Sequence, residues 1–93
     1  MTKSKYASKK ELATYRRILK GIPEDTQNHR VLGYLITHKH LSQMEAFEHL
    51  NIVNLPARVY DLRKDYEVPI EWLRIKNPGH KAYNAYYIGR PEA

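Results

Sequence analysis

Apolar residues recur every three or four positions through the first two-thirds of the chain, which is the period of an amphipathic helix. From about residue 69 the period shortens to two, and aromatic and β-branched residues become common, as strands require. The chain is therefore expected to have an α+β fold in which helices precede a hairpin. The predicted helices cover residues 9–20, 26 or 27 to 38, 43–50 and 55–64, and the predicted strands cover 69–76 and 81–88.

Capping residues agree with these boundaries. Ser8 and Ser42 each stand three residues before a glutamate, which is the capping-box pattern at the start of a helix. Asn54 is a suitable cap for the fourth helix, and Pro56 lies in its first turn, where the missing N–H costs nothing. Residues 77–80 (Asn-Pro-Gly-His) suit a type II turn, with proline in its second position and glycine in its third. The hairpin therefore has a defined turn as well as a strand pattern.

Composition limits the classes of protein that remain. A chain of 93 residues has room for one domain, and the absence of cysteine excludes disulfides, thiolate zinc sites and cysteine nucleophiles. Apolar runs stay far below the roughly 20 residues that a membrane helix needs, so we expect no membrane partner and a cytoplasmic location, in a bacterial or phage-infected cell. No pattern of catalytic or phosphate-loop residues is present, and the spacing of His38, His40 and His49 does not suit a metal site. We therefore predict no enzyme activity, catalytic residue, metal or cofactor.

Charge is distributed unevenly along the chain. The formal net charge is +6, and residues 1–22 hold seven lysine or arginine residues against one glutamate. Residues 23–93 hold nine of each sign and are neutral overall. We therefore divide the chain into a basic tail with an amphipathic helix at 1–24 and a domain of low net charge at 25–90. The basic part is expected to attract an anionic partner such as nucleic acid.

Three helices and a hairpin, with a turn of about four residues between the second and third of these helices, form the pattern of a winged helix-turn-helix. The predicted fold is a three-helix core with a C-terminal β-hairpin wing and an extra basic N-terminal helix. In this arrangement the helix Leu55–Lys64 enters the major groove of double-stranded DNA, and the preceding helix crosses the backbone. The hairpin reaches the neighbouring backbone or the minor groove.

Three segments resemble a small helix-turn-helix family of bacteriophages and prophages. They are residues 31–35 (VLGYL), 41–46 (LSQMEA) and 55–64 (LPARVYDLRK). In that family a Leu-Ala-Arg-Ile-x-x-Leu-Arg helix precedes a β-wing, and here Val59 replaces the isoleucine. The segment 69–88 is similar to the wing of the same family. The resemblance implies a DNA-binding or regulatory protein of a phage or mobile element.

Helical geometry selects the candidate DNA contacts. With Leu55, Val59 and Leu62 as the buried face, the opposite face of that helix centres on residues 57, 60, 61 and 64. We expect Arg58 to pair with guanine and Asn54 to read adenine. The full predicted set is Asn54, Ala57, Arg58, Tyr60, Arg63 and Lys64 on the reading helix, Ser42 and Gln43 as phosphate contacts at a helix N-terminus, Lys76, His80 and Lys81 in the wing, and Lys9, Lys10, Arg16, Arg17 and Lys20 in the basic helix.

Several of these residues have a second interpretation. Arg58 could instead pair with Asp61 or Asp65 on its own helix. Asp61 would repel phosphate on the reading face unless it accepts from a cytosine amino group or pairs with Arg58. Tyr60 could belong to the rim of the core. The tyrosines at 83, 86 and 87 could stack on single-stranded bases, and the basic N-terminal run could be a solvated tail.

The leading hypothesis is a protein that binds double-stranded DNA, either a transcriptional regulator or an excisionase-like architectural factor. A single domain reads a short half-site, so a homodimer or a cooperative assembly is expected. The alternative is a protein-interaction or inhibitor module with a host protein as partner, such as an anti-CRISPR or other anti-host factor, which the neutral charge of residues 23–93 favours. The predicted dimer surface consists of Leu12, Tyr15, Ile18 and Leu19.

Overall fold

The computed structural model describes residues 5–90, so the first residues of the predicted basic tail, 1–4, lie outside the described part. Four helices and three strands follow one another in the order expected for helices that precede a hairpin. Their bounds agree with the sequence prediction to within a few residues, except for one additional strand, β1. The elements are α1 (Lys9–Lys20), α2 (Gln27–Thr37), β1 (Leu41–Ser42), α3 (Gln43–Leu50), α4 (Leu55–Asp65), β2 (Ile70–Ile75) and β3 (Tyr83–Ile88).

Reciprocal hydrogen bonds begin α1 and α3 at the predicted residues. The Ser8 hydroxyl accepts from the Glu11 N–H at 3.2 Å, and the Ser8 N–H donates to Glu11 Oε1 at 2.8 Å. Ser42 and Glu45 form the same pair of bonds, at 3.1 and 2.9 Å. Both predicted capping boxes are confirmed. Each one satisfies backbone donors that the helix itself leaves unpaired.

The three strands form an antiparallel sheet in the order β1-β3-β2. In the turn between β2 and β3, the His80 N–H donates to the Asn77 carbonyl at 3.1 Å, and Gly79 has φ +80°. A positive φ in the third position is what a type II turn requires, so the predicted turn is confirmed. The strand β1 is absent from the predicted elements because its two residues are too few to show a period of two.

The core lies between the helices and the side of the sheet that faces them. Ile70 and Ile88 are paired neighbours on that side of the sheet and are buried in the same cluster as α2 and α4. The largest fully buried side chains come from α2, α4, the sheet and the segments between them, so the helices and the hairpin share one core. They are Val31, Leu32, Leu41, Ile52, Leu55, Leu62, Val68 and Ile70.

Helix α1 packs against α2 and joins this core. Tyr15 is only 6% exposed and belongs to the core cluster, while Leu12, Ile18 and Leu19 are partly buried against it. The prediction that Tyr15 contributes to a dimer surface is therefore wrong, because its own chain already covers it. Homodimerisation itself stays a prediction.

The segment before α1 pairs with the end of β3 that lies away from the hairpin turn. The Ala7 N–H donates to the Ile88 carbonyl at 3.0 Å, and Tyr6 forms an antiparallel bridge with Gly89. The Tyr6 ring also stands edge-on to the Tyr87 ring, with centroids 5.0 Å apart. Residues 5–7 are thus ordered against β3, and this docking helps to fix the start of α1.

Helix α3 turns its large apolar side chains outward. Met44 and Phe47 are exposed, although they recur at helical spacing with Leu50. The side of α3 that faces the core is occupied by Ala46, which is fully buried. The helical spacing of Met44, Phe47 and Leu50 therefore does not identify which face of α3 is buried.

Candidate nucleic-acid interface

One face of α4 is open to solvent, and we call it the outer face of α4: Pro56, Tyr60, Arg63 and Lys64. These positions are separated by three or four residues or are adjacent, so they form a single stripe along the helix. The Lys64 ammonium lies 5.6 Å from the centroid of the Tyr60 ring, close enough for a cation–π contact. The exposure of Tyr60 excludes a place in the core. The stripe presents two cations and a phenol to any partner of α4.

Arg58 lies on the flank of α4, against α2. Its Nη2 atom is 3.1 Å from Asp61 Oδ2, and its Nη1 donates to Gln27 Oε1 at 3.4 Å. Within the part of the chain that the structure describes, the Arg58 Nε is buried without a hydrogen-bond partner. The alternative interpretation, an ion pair with Asp61, is therefore the arrangement found. Arg58 has to leave both partners to reach a base, so its role as a reader of guanine stays a prediction.

The same ion pair removes the difficulty posed by Asp61. Its carboxylate is compensated by the Arg58 guanidinium on the flank, and both side chains are about one-third exposed. Asp61 therefore does not present an uncompensated charge on the outer face of α4. The exposed face is rotated from the predicted one toward Pro56 and Arg63, because Arg58 is bonded to Gln27 of α2 and Asp61 is paired with Arg58.

Gln43 ties the start of α3 to the start of α4. Its side-chain amide donates to the Val53 carbonyl at 3.0 Å and to the Ile52 carbonyl at 3.4 Å. Its Oε1 accepts from the Leu55 N–H at 3.2 Å. These bonds hold the turn between the two helices, so the side chain acts as a structural clamp. A phosphate contact by Gln43 stays a prediction.

Ser42 cannot act as the predicted phosphate contact. The residue is only 6% exposed, and its hydroxyl already caps α3. The physical reason is strand β1, which pairs Ser42 with Ala85 and draws it into the sheet. The prediction is corrected for this side chain.

Asn54 and Ala57 begin α4. The Asn54 Oδ1 accepts from the Ala57 N–H at 3.2 Å, which confirms Asn54 as the cap of this helix. Bidentate recognition of adenine uses both the oxygen and the nitrogen of an asparagine amide. Because the oxygen is engaged by the cap, only the amide N–H groups are free of this bond. Both residues remain predicted contacts.

Two lysines and a histidine surround the turn of the hairpin. Lys76, His80 and Lys81 are all exposed there, so they can be reached by a partner. Arg74, one step back along β2, donates from Nη1 to Asn84 Oδ1 at 3.3 Å. Trp72 is also exposed. Neither Arg74 nor Trp72 is among the predicted site residues, although the period of two places both on one face of β2.

Tyrosines of β3 do not form a continuous stacking surface. Tyr87 is buried, and Tyr6 packs against it. Burial raises the pKa of the Tyr87 phenol, as expected for a ring withdrawn from water. Tyr86 is partly buried against the core, and only Tyr83 is largely exposed. The interpretation as a single-strand stacking hairpin is wrong for Tyr87.

The predicted basic residues of α1 are exposed, so the helix keeps a cationic outer surface while its apolar face joins the core. Glu11 is engaged in the capping box and lies 3.6 Å from the Arg90 Nε. The backbone N–H of Ser8, then its hydroxyl, hold the pKa of the Glu11 carboxyl below its usual value. The exposed cations are Lys9, Lys10, Arg16, Arg17 and Lys20.

Membrane-spanning helices and clustered metal ligands are both absent from residues 5–90. None of the helices there combines the length and the apolar character required to cross a bilayer. No three histidine, aspartate or glutamate side chains of those residues come together in a way that could hold a metal ion.

The architecture of the chain agrees with that of a known domain family. A family model described as a winged helix-turn-helix domain matches residues 26–91. The match runs from the start of α2 through the end of β3 and, with four helices and a three-stranded antiparallel sheet, confirms the predicted fold class. Comparison with curated proteins and with solved structures gave no significant match.

Proposed function

The chain belongs to the winged helix-turn-helix domain family, and from that premise we propose that it binds double-stranded DNA. The outer face of α4 occupies the major groove, and the β2–β3 hairpin contacts the adjacent backbone or minor groove. The observation that carries this proposal is the exposed stripe with Arg63, Lys64 and Tyr60. Asp61, a carboxylate on the flank of the same helix, is paired with Arg58.

The basic surface of α1 supplies affinity that does not depend on sequence. Residues 23–93 are neutral overall, so attraction to the phosphate backbone comes mainly from the cations before them. Arg16, Arg17 and Lys20 are exposed in the C-terminal half of α1, and Lys9 and Lys10 in its first turn. Neutralised phosphates release counterions, which makes such binding strongly dependent on salt.

Duplex binding across a range of salt concentrations tests this function. Fluorescence anisotropy of a labelled duplex is expected to show binding that weakens steeply as salt increases. Poly-dT of equal length is the control, and we expect weaker binding to it. No duplex binding at about 10 µM protein and low salt, or binding that does not respond to salt, would contradict the proposal.

The cellular role that fits this function is a regulator or an excisionase-like architectural factor of a phage or mobile element, acting in the cytoplasm of its host. Its support is the resemblance of residues 31–35, 41–46 and 55–64 to phage and prophage helix-turn-helix proteins. A genome-wide footprint of the tagged protein discriminates these roles. A regulator is expected at one or a few operators, and an architectural factor at clustered sites beside a recombination locus.

A second candidate function is a protein-interaction or inhibitor module directed at a host protein. The observation that favours it is the exposed pair Met44 and Phe47 on α3, since large apolar side chains seldom lie together in water without a partner. A pull-down after nuclease treatment tests it, with a Met44→Ser, Phe47→Ser double variant as control. A partner that survives nuclease and is lost with this variant supports the second function.

A further inference from the structure

Trp72 is a large aromatic side chain that the fold leaves in water. It is 61% exposed and is the single tryptophan of the chain. In the sheet it stands in a row with Tyr86 of β3 and Leu41 of β1. Leu41 is fully buried, Tyr86 is half-buried and Trp72 is exposed, so the row leads from the core to the outer edge strand. The indole thus extends the helix-facing side of the sheet beyond the region that the helices cover.

Arg74 lies on the same face of β2, one row nearer the turn. Alternate residues of a strand share a face, so Ile70, Trp72 and Arg74 project to one side. Ile70 is buried in the core cluster, which identifies this side as the one that faces the helices. Arg74 is exposed and bonded to its cross-strand neighbour Asn84 at 3.3 Å, which orients its guanidinium across the hairpin toward β3.

The charge around this face suits a polyanion. Arg74 is followed by Lys76, and Lys81 lies on the other side of the turn. Glu71 alternates with these residues and therefore projects from the opposite face of β2. The chain enters β2 soon after the end of α4, whose outer face carries Arg63 and Lys64. An aromatic ring next to cations is the combination that contacts the sugar and phosphate of a nucleotide.

We propose that Trp72 and Arg74 form a second DNA-contacting surface on the helix-facing side of the wing. Arg74 neutralises a backbone phosphate, and the Trp72 indole packs on the adjacent nucleotide. This inference rests on the proposed function and adds to it contacts from the body of strand β2. The partner is a DNA strand that passes between α4 and the hairpin.

Acrylamide quenching of tryptophan fluorescence tests the contact in the unmodified protein. Because the chain has one tryptophan, the signal reports Trp72 alone. The probe is a mixed-sequence duplex in about 50 mM salt, where backbone contacts are strong. The quenching constant is expected to fall about twofold or more on saturation with duplex, because a covered indole is withdrawn from the quencher. Anisotropy of the labelled duplex measures binding in the same samples.

Substitutions test how much Trp72 and Arg74 contribute to the affinity for duplex. Trp72→Ala is expected to weaken duplex binding about fivefold or more, because the apolar surface of the indole that the strand covers is lost. Trp72→Phe keeps a ring and is expected to recover most of the affinity. Tyr83→Ala removes an exposed aromatic from the opposite face of the same hairpin and is the matched control, with unchanged affinity. Arg74→Ala is expected to reduce the slope of log K against log salt by about one.

The outcomes separate this inference from the proposed function. Duplex binding with a protected Trp72 and a weakened Trp72→Ala variant supports it. Duplex binding with a quencher-accessible Trp72 overturns it and leaves the proposed function standing. Protection that rises with protein concentration in the absence of DNA also overturns it, because a second copy then covers the strand. If the protein binds no duplex at all, both this inference and the proposed function are contradicted.

Discussion

Arg58 and Arg63 lie on the same helix, but their side chains have different surroundings. Arg58 is held by Asp61 and Gln27 beside α2, whereas Arg63 is exposed on the outer face of α4. An arginine that is already paired must break those contacts before it can bind a base. We therefore expect selectivity to depend more on Arg63 than on Arg58.

Arg63→Ala is expected to cost about 1 to 3 kcal/mol on a preferred duplex selected from a randomised pool, and to reduce the preference for that duplex. Arg58→Ala is expected to lower the free energy of unfolding by up to about 1 kcal/mol, since its ion pair is partly exposed. Anisotropy and chemical denaturation measure the two effects. Full loss of selectivity with Arg58→Ala, and none with Arg63→Ala, would reverse the assignment.

Gln43 joins α3 to the turn through both ends of its amide. Gln43→Ala removes three hydrogen bonds and is expected to lower the free energy of unfolding by about 1 to 2 kcal/mol. Gln43→Glu keeps the acceptor for the Leu55 N–H and is expected to be less damaging. Chemical denaturation measures both variants. If Gln43→Ala weakens DNA binding while stability is unchanged, the side chain is a phosphate contact instead of a clamp.

Helix starts and the hairpin turn were predictable because their signals are local. The Ser8 and Ser42 capping boxes and the Pro-Gly pair at 78–79 determine backbone geometry within a few residues, and all are present in the structure. Which side of an element faces the core depends on its neighbours. Met44 points outward because Ala46 lies against the core, and Ser42 is buried because β1 pairs with β3. The spacing of residues in the sequence predicts neither the exposure of Met44 nor the burial of Ser42.

The segment before α1 is attached through an aromatic pair. The Tyr6 hydroxyl lies 2.8 Å from His40 Nε2, and the Lys39 ammonium lies 4.5 Å from the centre of the Tyr6 ring. Burial, followed by the charges of Lys39 and Lys5, lowers the pKa of His40, although Glu45 acts in the opposite direction. The folded state therefore holds its proton on His40 less tightly than the unfolded chain does.

This difference predicts that stability falls as pH falls. The unfolded chain binds more protons at His40 below its ordinary pKa of about 6.5, so that contribution is present above this pH and is lost below it. The midpoint of thermal unfolding is expected to fall between about pH 7.5 and pH 5.5. His40→Gln, which does not titrate, is expected to show a smaller fall in the same window. An equal fall in the variant would show that other groups are responsible.

The whole molecule combines a domain of low net charge with a basic helix that is packed onto it. Because Tyr15 belongs to the core, α1 holds its cations in a fixed position relative to α2. Under the proposed function, affinity and selectivity come from different surfaces. The cations of α1 are expected to attract any duplex, and the outer face of α4 is expected to discriminate among sequences.

A double variant, Arg16→Ala and Arg17→Ala, is expected to weaken binding to all duplexes alike. The slope of log K against log salt should fall by about two, since two phosphate contacts are lost. Thr14→Ala, an exposed neutral position on the same helix, is the matched control. Equal salt slopes in the double variant and the wild type would show that α1 is not in contact with the backbone.

A titration of the isotope-labelled protein with a duplex, followed by NMR, maps the surface that binds DNA. We expect the largest shifts at Tyr60, Arg63 and Lys64 on α4 and at residues 72–81 of the hairpin, with smaller shifts on α1. The exposed pair on α3, Met44 and Phe47, reports whether α3 also lies against the duplex. Shifts confined to α3, or shifts that leave α4 unchanged while the duplex is bound, would contradict DNA recognition by the outer face of α4.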